Sequence, residues 1–455
     1  MITFIIFAFL IGYVCIAMEH PLGVNKAATA LLLAVVLWTT YIFCAPMLSE
    51  FAGLNHEQIL DRIIGEDGKI VLNLGDISQI LFFLLGAMTI VELVDVHGGF
   101  SIITDKITTK KKRKLLWILA FVTFFLSAIL DNMTTAIVMT MLLRKLVSDS
   151  KDRWIFAGIV IIAANSGGAF SPIGDVTTIM LWIRGFVTSS SLILELILPS
   201  LVSLVIPVAL ASRWLKGELS TEAVAETKGH ENSPIGIITK REKNIIFALG
   251  VGSLIFVPIF KSITHLPPFI GILLGLSVLW IYTELLYKRK KDVAESRKAR
   301  ISAILNRIDT STILFFMGIL MAVSVLKETG ILASFAEILN EKVGNFYVIN
   351  IIIGLLSSVV DNVPLVAGAM GMYSIDPSSI YFMQDGIFWI FLAYCAGVGG
   401  SILIIGSAAG VVVMGLEKIN FIWYMKKISL ITLLGYLAGA LIYIVQMQFI
   451  LPLLQ

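Results

Sequence analysis

The chain has 455 residues, 58% of them hydrophobic and 14% charged, with a mean hydropathy of +0.93. Soluble domains carry about a quarter charged residues, so this composition excludes one and indicates a polytopic, all-α membrane protein. The net charge of +3 implies no nucleic-acid partner, because the Lys and Arg residues lie between apolar segments.

In chain order, apolar stretches predict transmembrane helices over about 2–18, 25–44 and 77–96. A helical hairpin is expected over 115–146, an interrupted segment over 154–183 and a helix over 192–214. The first stretch has no Lys or Arg ahead of it and no small-residue cleavage site, so it reads as a retained helix. A polar linker over 217–242, expected in the cytoplasm, separates a first repeat, 1–216, from a second, 243–455. The second series has helices over about 244–261, 268–287 and 309–327, a hairpin over 346–373, an interrupted segment over 386–414 and a last helix over 428–450.

The halves match in residues as well as order. Asp76-Ile-Ser-Gln-Ile-Leu-Phe-Phe83 and Asp309-Thr-Ser-Thr-Ile-Leu-Phe-Phe316 share six of eight residues at an offset of 233. Asp131-Asn132 and Asp361-Asn362 recur at 230, and Gly167-Gly168 and Gly399-Gly400 at 232. Landmarks at nearly one offset indicate a duplication. With both hairpins re-entrant, each half crosses five times, one crossing helix being discontinuous, and the second half is inverted. The 34 Lys and Arg then divide 28 to 6 in favour of the cytoplasm, as the positive-inside rule requires. Both termini then face outward.

The Asp131 and Asp361 tips interrupt apolar runs near their midpoints, where a carboxylate is costly and marks a functional site. The carboxylates, the carboxamides of Asn132 and Asn362, and hydroxyls such as Thr134 and Ser357 suit a hard cation. The interrupted segments carry Asn165, Gly167, Gly168, Asp175 and Thr177 in one half and Gly399, Gly400 and Ser401 in the other. A Gly-Gly pair, followed by Pro in the first half, breaks a helix, and the broken ends add carbonyls and dipoles to the same site. Small-residue helix packing is the alternative for the glycines.

Asp76 and Asp309 are read at helix starts, where N-capping is the plainer role. Glu92 and His97 lie near the cytoplasmic end of helix 77–96 and are candidate pH-sensing groups. Cys15, Cys44 and Cys395 have neither metal-type spacing nor a disulfide pattern, so neither a cofactor nor a transition metal is expected. There is no zinc-protease motif, phosphate-binding loop or nucleophile elbow, which argues against an enzyme. No Lys or Arg occurs in 115–143, 154–183 or 343–417, so Asp131, Asp175 and Asp361 have no basic counter-charge within their own segments. Such a site is expected to attract a cation.

These motifs, with GDISQILFFLLGAMTIVELVD, LDNMTTAIVM, NSGGAFSPIGDVTTIMLW, DNVPLVAGAMGMY and CAGVGGSILIIGSAAGVVVMG, resemble the NhaD family of sodium/proton antiporters over nearly the whole chain. The resemblance implies export of Na+ and Li+ driven by H+ entry, in a bacterial inner membrane. It also implies a homodimer of scaffold and moving transport domains working by alternating access, elevator-type. It carries cation or proton binding onto Asp131, Asn132, Asn165, Asp175, Thr177, Asp309, Ser357, Asp361 and Asn362, and by analogy carbonyl coordination onto Gly399 and Gly400. A sodium-coupled symporter of an organic or inorganic anion with the same fold is the alternative.

Overall fold

The computed structural model describes residues 2–104, 109–219, 238–290 and 300–454. Most of the expected linker, 220–237, lies outside them, as do Lys106, Lys228, Lys291, Arg297 and Lys298 of the loop census.

Helices α1 (Ile2–Ala17) and α3 (Lys26–Cys44) are joined by the single turn α2 (Glu19–Leu22). The turns Ala45–Met47 and Ser49–Phe51 and helix α4 (His56–Ile64) lead into α5 (Lys69–Val96). A short α6 (Ser101–Thr104) precedes α7 (Lys112–Leu130) and α8 (Asn132–Leu146), then α9 (Ser150–Ala169), α10 (Val176–Ile183) and α11 (Ser189–Ala211). The second half opens with α12 (Lys240–Thr264), α13 (Pro268–Arg289), α14 (Ile301–Leu305), α15 (Thr310–Glu328) and α16 (Ile331–Lys342). It continues through α17 (Phe346–Ser357), α18 (Asn362–Met372), α19 (Ile387–Gly399), α20 (Ala408–Glu417), α21 (Phe421–Lys427) and α22 (Ser429–Leu454). No β-strand occurs among the described residues.

Among these residues eight helices are long and apolar enough to cross a membrane, or nine if α20 and α21, bent by 116° at their junction, count as one span. At about 1.5 Å per residue the 19-residue α7 is long enough to be one of them. Its counterpart α17 has 12 residues and falls short. The pair α7 and α8 breaks at Asp131, and the pair α17 and α18 at Asp361. The interrupted segments break between Phe170 and Asp175 and between Gly400 and Ser407.

One expectation is corrected. Asp76 caps no helix, because α5 begins at Lys69 and runs unbroken through it. Asn73, Gly75 and Asp76 interrupt the apolar run and suggest a helix start, but Ile70, Val71, Leu72 and Leu74 ahead of them are already helical. Asp76 instead pairs with Arg184 at 3.2 Å on the surface.

The bundle is organised around α9 and α19. Every residue of α19 is buried, as is α9 from Phe156 onward, so neither helix has a polar face to show to water. Large apolar side chains of α1, α3, α12 and α13 point outward, as helices facing lipid do. Close backbone contact holds the breaks in place. A Cβ at Gly167 would collide with the carbonyl of Phe124, and one at Gly399 with the carbonyl of Gly354. Ser127 Oγ donates to Ala164 O at 2.6 Å, and Ser357 Oγ to Ala396 O at 2.8 Å. The same contact thus recurs in each half at the offset seen in the sequence.

Candidate functional site

Four helix starts, those of α8, α10, α18 and α20, are capped by Asp131, Asp175, Asp361 and Ser407. Each cap accepts from first-turn amides, and the positive helix ends favour the acidic caps. The sequence folds this way because Gly-rich or Asp-Asn breaks free the amides at membrane depth, where a side-chain oxygen must satisfy them.

Asp175 is the hub. Its Oδ1 accepts from the amide and the hydroxyl of Thr177, both at 2.9 Å. Its Oδ2 accepts from Asn132 Nδ2 at 2.7 Å, and Asn362 Nδ2 reaches both oxygens at 3.2 and 3.3 Å. Asn132 also donates to Asn165 Oδ1 at 3.1 Å, and Asn165 donates onward to Ser407 Oγ at 2.9 Å. All these side chains are buried, and among the described residues no Lys, Arg or His pairs with Asp175. The two Asp-Asn tips therefore meet through their asparagines on one carboxylate.

The aspartates of those tips stand at the edge. Asp131 accepts from the amide and hydroxyl of Thr134 at 2.8 and 2.7 Å. Its φ of 110° and ψ of 157° lie in a region that normally needs glycine, a strain of about 1–3 kcal/mol held by the packing around the break. Asp361 has an ordinary backbone and pairs through Oδ2 with Lys26 Nζ at 3.2 Å. The site thus has a basic counter-charge after all. It comes from the start of α3, 335 positions away, which a count confined to the neighbouring segments could not find. A cleft lined by Tyr13, Glu19, Lys26, Asp361 and Ser407 reaches this edge. A second cleft, lined by Asn73, Arg184, Ser324, Lys327 and Ala367, touches α10 and α18 elsewhere.

Other sequence candidates are placed apart from the hub. Asp309 is exposed and caps α15 through Thr312. Ser401 Oγ bonds Val398 O within its own turn, while its carbonyl accepts from Tyr424. Gly168 and Gly400 press against Gly174 and Gly406, so together with Gly167 and Gly399 they serve close backbone approach. Glu92 pairs with Arg307 at 3.3 Å. His97 is buried: Nδ1 bonds Leu93 O at 2.6 Å and Nε2 meets Tyr287 OH at 2.9 Å. Ser407 and Lys26 were missed in the sequence. Ser407 could have been found, since it stands 232 positions after Asp175, at the repeat offset.

Broken helices closing on a buried carboxylate and three carboxamides are the arrangement of a membrane transporter, and the chain's relatives carry transporter names. Residues 13–384 match the family described as citrate transporter, CitMHS. The chain is 43% identical over 437 residues to Sodium/proton antiporter 2 of Arabidopsis thaliana, covering 95% of this chain and 97% of that protein. Sodium/proton antiporter 1 of the same plant is 45% identical, over 95% of this chain and 70% of that protein. The Na(+)/H(+) antiporter NhaD of Vibrio cholerae is 30% identical, over 96% and 90%. The chain belongs to the citrate-transporter family, alongside the NhaD-type sodium/proton antiporters.

Proposed function

We propose that this chain is a secondary active transporter exchanging cytoplasmic Na+, or Li+, for external H+. The observation that carries the reading is the Asp175 carboxylate held by Asn132, Asn362 and Thr177. All its neighbours there donate. An ionised carboxylate accepts all of them, whereas a protonated one points a hydrogen at a donor and forces one carboxamide to turn. Proton and cation therefore compete for one set of oxygens, with different side-chain arrangements for each. A carboxylate out of water can hold either ion but not both well. Asp131 and Asp361 flank the hub as further ion-binding carboxylates, with Asn165, Thr134 and Ser357 supporting their segments.

The repeated contacts of the two halves support an inverted repeat, with the α7–α10 and α17–α20 units moving together past a scaffold, elevator-fashion, in a homodimer. In that arrangement both termini lie outside the cell and the linker inside. The names of the relatives support Na+ and H+ as the substrates.

The test is proton movement driven by a sodium gradient in proteoliposomes, compared among wild type, Asp175→Asn, Asp131→Asn and Asp361→Asn. Undiminished exchange in Asp175→Asn overturns the reading. The Lys26 ammonium and the citrate-transporter family favour one second reading, sodium-coupled anion uptake. Radiolabelled citrate uptake in the same vesicles separates the two.

A further inference from the structure

Lys26 is the first residue of α3, where the helix dipole disfavours a cation. Its ammonium nevertheless lies 3.2 Å from Asp361 Oδ2 and 4.3 Å from the centroid of the Phe315 ring, with only 24% of the side chain exposed. Asp361 is itself 16% exposed. A second carboxylate is close by, because Glu19 Oε1 accepts from the backbone amide of Lys26 at 3.2 Å. Glu19, Lys26 and Asp361 line one cleft. The buried hydroxyl of Tyr13 shares it and has no hydrogen-bond partner among the described residues. Ser407, on the same wall, accepts from Asn165 and so joins the cleft to the Asp175 hub.

We propose that Lys26 is a tethered competitor for the transported cation: its ammonium neutralises Asp361 until Na+ arrives there, and then turns to Glu19. This rests on the cation-exchange reading of the hub. Asp361, the free Tyr13 hydroxyl and Ser407 offer Na+ the oxygens it needs, and the ammonium occupies the position the ion would take. At Asp361 one cation replaces another, and the single positive charge that Na+ adds to the cleft is met by the Glu19 carboxylate, which receives the displaced ammonium. Lys26 thereby sets how much Na+ is needed to load the site.

The experiment uses the full chain in proteoliposomes. Initial rates of proton movement are measured against Na+ concentration for wild type, Lys26→Gln, Lys26→Arg and Glu19→Gln, with folding checked by size exclusion. Removing the competitor in Lys26→Gln is expected to lower the KM for Na+ by about fivefold or more, a typical coupling between two ligands. Lys26→Arg keeps a cation there and stays near wild type. Glu19→Gln, which removes the alternative partner, raises the KM. If Lys26→Gln folds without turning over, the Na+ concentration that half-saturates its thermal stabilisation is read instead. A value at or above that of wild type, by either measure, overturns the proposal. Wild type showing no Na+-dependent proton movement would instead sink the exchange reading itself.

Discussion

The carboxamide of Asn362 donates to both oxygens of Asp175, at 3.2 and 3.3 Å, although 187 positions separate the two residues. Asn132 approaches the same carboxylate from the other Asp-Asn tip. One carboxylate thus joins the two halves, and the asparagines, not their neighbouring aspartates, make the join. Asp131 and Asp361 stay at the rim, one turned onto Thr134 and the other onto Lys26.

Asp175→Asn should therefore couple two losses. The amide can neither release a proton nor replace both acceptor oxygens, so Asn132 or Asn362 loses its partner, at a cost of about 1–3 kcal/mol. Sodium-driven proton movement should fall to background while the protein still purifies as a folded species. A fluorescent pH indicator inside proteoliposomes reads the first effect, and a thermal melt in detergent the second.

Gly167→Ala and Gly399→Ala should both destabilise, because each new methyl meets a backbone carbonyl that no rotamer can move. Overpacking of this kind costs about 1–3 kcal/mol or more. Gly252→Ala is the control, since open space surrounds that position in α12. It should hold or raise the melting temperature, alanine being the better helix former by about 1 kcal/mol.

Glu417 ends α20 with its side chain buried between Arg144 at 2.7 Å and Arg153 at 2.5 Å, while Trp154 Nε1 bonds its carbonyl at 3.0 Å. Arg144 also donates to the carbonyl of Leu416. This clamp ties α20 to α8 and α9. Glu417→Gln strands two guanidinium groups, and breaking such a pair costs roughly 3 kcal/mol, less whatever the partly exposed Arg144 recovers from water. The melting temperature should drop, with the double variant Glu417→Gln/Arg144→Gln dropping less than the sum of its single changes.

His97 follows the end of α5, and burial holds its imidazole below the ordinary value, opposed by the bond to Leu93. The folded state therefore binds fewer protons than the unfolded one just below the ordinary pKa of about 6.5, and stability is lost as pH falls through that window. Each pH unit there removes up to about 1.4 kcal/mol. Melting temperatures from pH 7.5 down to 5 should decline in wild type and decline less in His97→Gln.

Much of this protein is legible in the sequence because the membrane makes the rules local. Apolar runs must become helices, since no water is present to satisfy a free backbone, and polar knots within them must be functional or broken. The twin Asp-Asn tips, the Gly-Gly breaks and the repeat offset all follow from that without coordinates. Where the start of α5 went wrong, the signal was Gly75-Asp76, which reads as a helix start although the helix runs through it.

Only the tertiary structure decided which carboxylate sits at the centre. Asp131, Asp175 and Asp361 look alike in a sequence, each an acid heading a short helix. Their environments differ because burial and partners come from elements 33 to 335 positions away: Asn165 and Asp175 beside Asn132, Asn362 across the halves, Lys26 against Asp361. Hydrophobic pattern acts between near neighbours along the chain. Charge pairing and hydrogen bonding at the site depend on distance in space, which that pattern does not encode.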